Sequence, residues 1–107
     1  MRIKIGAHDY DVSRVSCIDH DDSDKIGEFS FMDGTIRIDD RLESGQFAEV
    51  LTHEIVHGID VFMNGGQTLS EETVERIGGG LAMVLRDNPA LVEMFAELSG
   101  INEREAE

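Results

Sequence analysis

The sequence predicts an α+β fold: a small N-terminal antiparallel β-sheet packed on one long helix, with two further helices behind it. Two observations carry this. Up to Ile38 the apolar residues alternate with polar ones, as on half-buried strands, whereas from Gln46 onward they recur at three- and four-residue steps, as along one face of a helix. The residues that punctuate structure, Gly, Asp, Asn and Pro, fall mostly between these runs. A chain of 107 residues with 40% hydrophobic residues suits one domain, 1–107, with one modest core.

In chain order, Arg2–Ile5 alternates and forms the first strand. A polar turn, Gly6-Ala7-His8-Asp9, leads to a second strand carrying Tyr10, Val12 and Val15. Asp19 to Asp24 is an acidic loop. Gly27–Phe31 and Thr35–Ile38 flank Met32-Asp33-Gly34, and Asp-Gly between alternating runs signals a hairpin. Asp39 to Gly45 leaves the sheet. The first helix then carries Phe47, Val50, Leu51, Ile55, Ile59 and Phe62 on its apolar face and ends at Asn64-Gly65-Gly66, residues that tolerate a left-handed cap. Ser70 is a natural N-cap for the second helix, with Glu71 and Glu72 in its first turn and Val74, Ile77, Leu81, Val84 and Leu85 as its buried stripe. Pro89 suits the first turn of a third helix with Leu91, Val92, Phe95 and Leu98 on its apolar face, Gly100 as its C-terminal cap and a frayed tail over about 100–107. The triplet Gly78-Gly79-Gly80 interrupts the second helix at a cost of about 1 kcal/mol per glycine relative to alanine. Close packing of this stretch on the first helix is the favoured explanation, with a kink as the competing one.

Composition narrows the function. The formal charge is −14, from 23 acidic against 9 basic side chains, which argues against phosphate-backbone binding and so against a nucleic-acid partner. It suits a solvated acidic surface or a basic protein partner. No apolar stretch reaches the roughly 20 residues that span a bilayer, and the N-terminus does not read as a secretory signal, so the expectation is a soluble, cytoplasmic protein without a membrane partner. Cys17 is the only cysteine, which fits a reducing compartment and reads as a half-buried small apolar residue.

The chemistry is carried by His53-Glu54-Ile55-Val56-His57, an HExxH pattern on the first helix. Residues four apart project from one helix face, so both imidazoles can reach a single Zn²⁺, while Glu54 lies beside that face and can accept a proton from a metal-bound water. A catalytic zinc needs a third protein ligand and an open position. The places where an extended motif would put a glycine and a further ligand hold Asp60 and Met63. The remaining candidates are Glu71, Glu75 and Glu72 on the following helix, which a short loop turns back toward the first; Glu71 ranks first. Asp60 can orient His57 through the ring nitrogen that faces away from a metal, or can be a plain solvated acid; Thr52 reads as structural. No downstream Tyr or His offers itself to an oxyanion, which leaves Tyr10 and His20.

These residues resemble a known group. Thr35-Ile36-Arg37-Ile38, the stretch from Leu51 to His57, Leu69-Ser70-Glu71-Glu72-Thr73-Val74 and Leu85-Arg86-Asp87-Asn88-Pro89 look like the small, often phage-encoded zincin-like metallopeptidases, distantly similar to the ImmA/IrrE family. The resemblance runs from about Gly27 to Leu91 and implies a minimal zincin-like domain with Glu71 as third zinc ligand and a protein or peptide substrate. It also implies that the substrate pairs as an added strand with Gly27–Phe31 or Thr35–Ile38. The glycine triplet is richer than that group's usual helix. The reading from the sequence is therefore a zinc metallopeptidase with Glu54 as general base. The alternative is a non-catalytic acidic binding domain, a nucleic-acid mimic or regulator, in which zinc only staples a small fold.

Overall fold

A computed structural model describes residues 1–106, with side chains described for 1–99. The α+β expectation holds. The order is β1 (Arg2–Ile5), β2 (His8–Val15), β3 (Gly27–Ser30), β4 (Thr35–Asp39), α1 (Ser44–Asn64), α2 (Glu71–Asp87) and α3 (Pro89–Ala106).

The sheet is mixed rather than antiparallel, with strand order β1-β2-β4-β3. β1 and β2 form a hairpin across Gly6-Ala7 only, since His8 already pairs with Ile5 and Asp9 with Lys4. The chain then passes along the acidic loop to the far edge, forms β3, and returns through the hairpin so that β4 slots between β3 and β2. β4 runs antiparallel to β3 and parallel to β2. Asp21 and Asp24 brace the loop by donating their backbone N–H groups to Asp19 and Asp22.

Period-two alternation puts Ile36 and Ile38 on one face of β4, fully buried, with Tyr10, Val12 and Ile5 beside them. Phe47, Val50, Leu51 and Ile55 of α1 close over this cluster. The other side of α1 meets α2, so the helix that carries HExxH lies between the sheet and a second helix. That position explains a departure from the expected amphipathic face. The buried residues of α1 are Glu54, Val56, His57, Gly58 and Asp60, whereas Ile59 and Phe62 are exposed. α1 starts two residues before Gln46, and Gly65 ends it in the left-handed region (φ 74°), donating to the Val61 carbonyl at 3.0 Å.

The expected stripe of α2 is buried only at Val74; Ile77, Leu81, Val84 and Leu85 are exposed. Among the described residues α3 touches α2 and no other element, and Val92, Phe95 and Leu98 are exposed too. The periodicity picks out the apolar positions, but apart from Val74 these stay substantially exposed among the described residues. Gly100 does not cap α3, because the helix continues to Ala106; the part of the expected tail at Glu107 lies outside the described residues. No helix among the described residues is long and apolar enough to cross a membrane. Cys17 is free and half-buried.

Of the three glycines in α2, one accounts for close packing. A Cβ at Gly78 would lie 2.9 Å from His53 Cα and 3.1 Å from His53 N, whereas Gly79 and Gly80 face open space. The helix is unbroken there, and α2 sits against the backbone of α1 at the first histidine of the motif.

Candidate metal centre

His53 and His57 lie one turn apart on α1 with ring centroids 5.0 Å apart. Glu71, the first residue of α2, reaches both. Its Oε2 is 3.2 Å from His53 Nε2 and its Oε1 is 2.5 Å from His57 Nε2. Ligand atoms from the three residues all fall within 4.8 Å of one another. Two imidazole nitrogens and a carboxylate oxygen at such spacing fit one divalent ion with bonds of about 2.0–2.2 Å, once Glu71 exchanges its direct imidazole contacts for the ion. Of the other candidate acids, Glu72 is drawn to Arg76, whose Nη2 donates to it at 2.6 Å, and Glu75 lines the cleft without joining the convergent group.

Local chemistry explains why Glu71 arrives there. The loop 65–70 is tied down by Asp60, a carboxylate only 1% exposed. Thr68 N donates to it at 2.7 Å, Thr68 Oγ1 at 2.6 Å, Leu69 N at 2.9 Å and Asn64 Nδ2 at 2.7 Å. These bonds hold its carboxyl well below the usual range, the Thr68 hydroxyl contributing most. Ser70 Oγ then accepts from Thr73 N at 3.1 Å, which starts α2 with Glu71 as its first residue. Asp60 therefore does not orient His57, as one expectation had it; its oxygens are committed to the loop. His57 Nδ1 is buried and has no hydrogen-bond partner.

Glu54 is 6% exposed and, among the described residues, makes no side-chain hydrogen bond. It lines a cleft of about 540 Å³ together with His53, His57 and Glu71. Burial first, then the negative charge of Glu71, pushes its carboxyl from 4.5 up to about 7; Lys25 opposes this. β3 closes one side of the cleft. Gly27 allows the approach, for a Cβ there would lie 2.5 Å from Val50 Cγ1 and 2.8 Å from Glu54 Oε2.

The polar residues of the cleft that were not singled out from the sequence include Lys25, Glu49 and Gln67. Lys25 carried a usable signal, being the only cation between Arg14 and Arg37 in an acidic stretch. It pairs with Glu28 at 3.2 Å, and Arg37 donates to the same carboxylate. Tyr10 and His20, the expected oxyanion partners, do not line the cleft; Tyr10 is buried against Phe29. β4 is likewise unavailable to an added strand, since β2 and β3 occupy both of its edges. β3 is an edge strand, with one side unpaired among the described residues.

Comparison with protein-family models, with curated proteins and with solved structures finds no match for this chain.

Proposed function

We propose that this domain is a zinc-dependent metallopeptidase that hydrolyses a peptide bond, with His53, His57 and Glu71 as the metal ligands and Glu54 as general base. One observation carries the reading: the HExxH pair meets a carboxylate from a second helix beside a buried Glu54 that has no partner of its own. The motif's resemblance to small zincin-like peptidases supports it. A zinc ion held by His53, His57 and Glu71 would supply a polarised water and a Lewis acid for the scissile carbonyl.

The chain's own residues account for the rest. The open edge of β3 presents backbone N–H and C=O groups on which an extended peptide can pair, laying its backbone across the cleft. Glu54 accepts the proton of the attacking water on its carboxylate and passes it to the leaving amine. The walls made by Val50, Ile26 and Phe29 reduce the water around that transfer. A metal that merely stapled the fold would call for a fourth protein ligand, and the convergent group among the described residues has three, which favours the catalytic reading.

The test joins metal content with cleavage. Elemental mass spectrometry gives one zinc per chain, lost in His53→Ala and Glu71→Ala. Glu54→Gln keeps its zinc, yet no longer cleaves a proteome-derived peptide library that the wild-type chain cuts. Zinc retained in Glu71→Ala refutes the ligand set, and undiminished cleavage by Glu54→Gln refutes the base.

A further inference from the structure

A second hollow, of about 510 Å³, adjoins the metal cleft, and Phe29 and Gln67 belong to the walls of both. Its remaining walls are mostly aromatic. Tyr10 packs on Phe29 with ring centroids 5.0 Å apart, and His8 meets Phe31 edge-on at 4.9 Å. Phe62 leans over the β1–β2 turn, where its ring fills the space that a Cβ on Gly6 would need. Phe31 and Phe62 remain 45% and 50% exposed although each faces this concavity. Aromatic side chains left half in water around a hollow, on otherwise packed elements, form a surface that gains from an apolar guest.

The position of the hollow identifies the guest. β3 begins at Gly27, beside Glu54, passes Phe29 in the shared wall, and ends just before Phe31. Its outer edge is unpaired. A peptide added to that edge advances about 3.3 Å per residue, so side chains on one face recur about every 7 Å. A side chain about two residues from the bond held at Glu54 therefore reaches the hollow. The geometry points to a specificity subsite: the hollow formed by His8, Tyr10, Phe29, Phe31 and Phe62 takes a large apolar or aromatic side chain of the peptide whose backbone lies across the metal cleft. This deepens the peptidase reading and rests on it, because the subsite assigns a substrate class to the same site.

Two measurements test it, one of them needing neither metal nor turnover. The first is NMR titration with N-acetylphenylalaninamide, with N-acetylalaninamide and N-acetyllysinamide as controls. The phenylalanine fragment shifts the amide signals of Phe31, Gly65, Gly66 and Gln67 saturably and the controls do not. Phe31→Ser and Phe62→Ser, each confirmed as folded by an amide spectrum that keeps its dispersion, abolish the shifts. The second is cleavage of a peptide library. Phe, Tyr, Leu or Met is enriched over Ala by roughly tenfold or more at one position within three residues of the cut bond, and both variants flatten that preference while cleavage itself continues. No saturable shift, or equal shifts from the lysine fragment, overturns the subsite. So does cleavage without an apolar preference, which leaves the peptidase reading standing. Fragment binding with no cleavage of any peptide removes the peptidase reading and, with it, the assignment of the guest as substrate.

Discussion

Gly78 and Gly80 lie two residues apart on one helix, yet alanine substitution is expected to stabilise the protein at Gly80 and not at Gly78. At either position alanine removes a glycine from a helix interior, worth about 1 kcal/mol in favour of the folded state. At Gly80 the new methyl meets nothing within 4 Å, so the gain stands alone. Gly80→Ala should raise the melting temperature by about 4–8 °C, the usual response to 1 kcal/mol in a domain of this size. At Gly78 the methyl would lie 2.9 Å from His53 Cα, against an optimum carbon–carbon separation of about 3.5–4.0 Å. The atom in the way is backbone of α1 and cannot rotate aside. Forcing the helices apart costs roughly 1–3 kcal/mol, as for other overpacked cores. The propensity gain offsets part of that, which leaves Gly78→Ala between neutral and about 2 kcal/mol destabilised. Urea denaturation with matched m-values reads the difference directly. The helix spacing also sets the reach from His53 to Glu71, so Gly78→Ala should weaken zinc binding while Gly80→Ala leaves it unchanged. If Gly78→Ala stabilises the protein as much as Gly80→Ala, the close contact between α1 and α2 does not exist and the reasoning fails.

Three further outcomes follow from the same structure. Asp60→Asn replaces an oxygen that accepts from Thr68 and Leu69 with an amide that donates, so the loop should release Glu71 and zinc affinity should fall by about tenfold or more in a competition titration. In a Glu71→Ala background the same change should cost no further affinity, and a full additional loss would show that Asp60 does not act through Glu71. Arg41 donates its backbone N and its guanidinium to the buried Asp39 and holds that carboxyl at about 2 instead of 3.8, so its ionised form stabilises the fold. That contribution is complete above about pH 3.8 and is lost as pH falls toward 2. Arg41→Ala should therefore unfold at a higher pH in an acid titration followed by circular dichroism, and an unmoved midpoint would contradict the pairing. Gly27→Val places a branched side chain against Val50 and Glu54, so it should displace β3 and lower cleavage of any substrate that pairs with that edge, with zinc content unchanged.

The sequence made the local choices readable because they rest on local chemistry. Ser70 caps α2, Gly65 ends α1 and the Asp33-Gly34 turn joins β3 to β4, each from signals a few residues long. What it concealed was set by distant partners. Nothing in Arg2–Asp39 announces that β4 enters between β2 and β3, so the parallel pairing was missed and the wrong strand was left as a possible edge. Helix periodicity marked Ile59, Phe62, Ile77 and Leu85 as apolar, but periodicity does not say whether another element covers that face. In α1 it found the flank that meets the sheet, Phe47, Val50, Leu51 and Ile55, but not the second flank of Glu54, Val56, His57 and Asp60, because a helix held between a sheet and another helix buries two sides.

The candidate centre shows the same division within a few residues. HExxH delivers His53, Glu54 and His57 to one side of α1 by helix geometry alone. Which acid of α2 completes the set depends on where that helix begins. Consecutive helical residues are turned by about 100°, and Glu75 stands about 6 Å further along the axis than Glu71. A start one residue later would present Glu72 instead. That start is decided by Asp60, which grips Thr68 and Leu69, and by Ser70, which caps the turn that follows. Asp60 looked from the sequence like a neighbour of His57, three residues on. Its influence on the site passes instead through the loop to the opposite helix, so the residue that decides which acid meets the two histidines spends its own hydrogen bonds on Asn64, Thr68 and Leu69 and does not line the cleft.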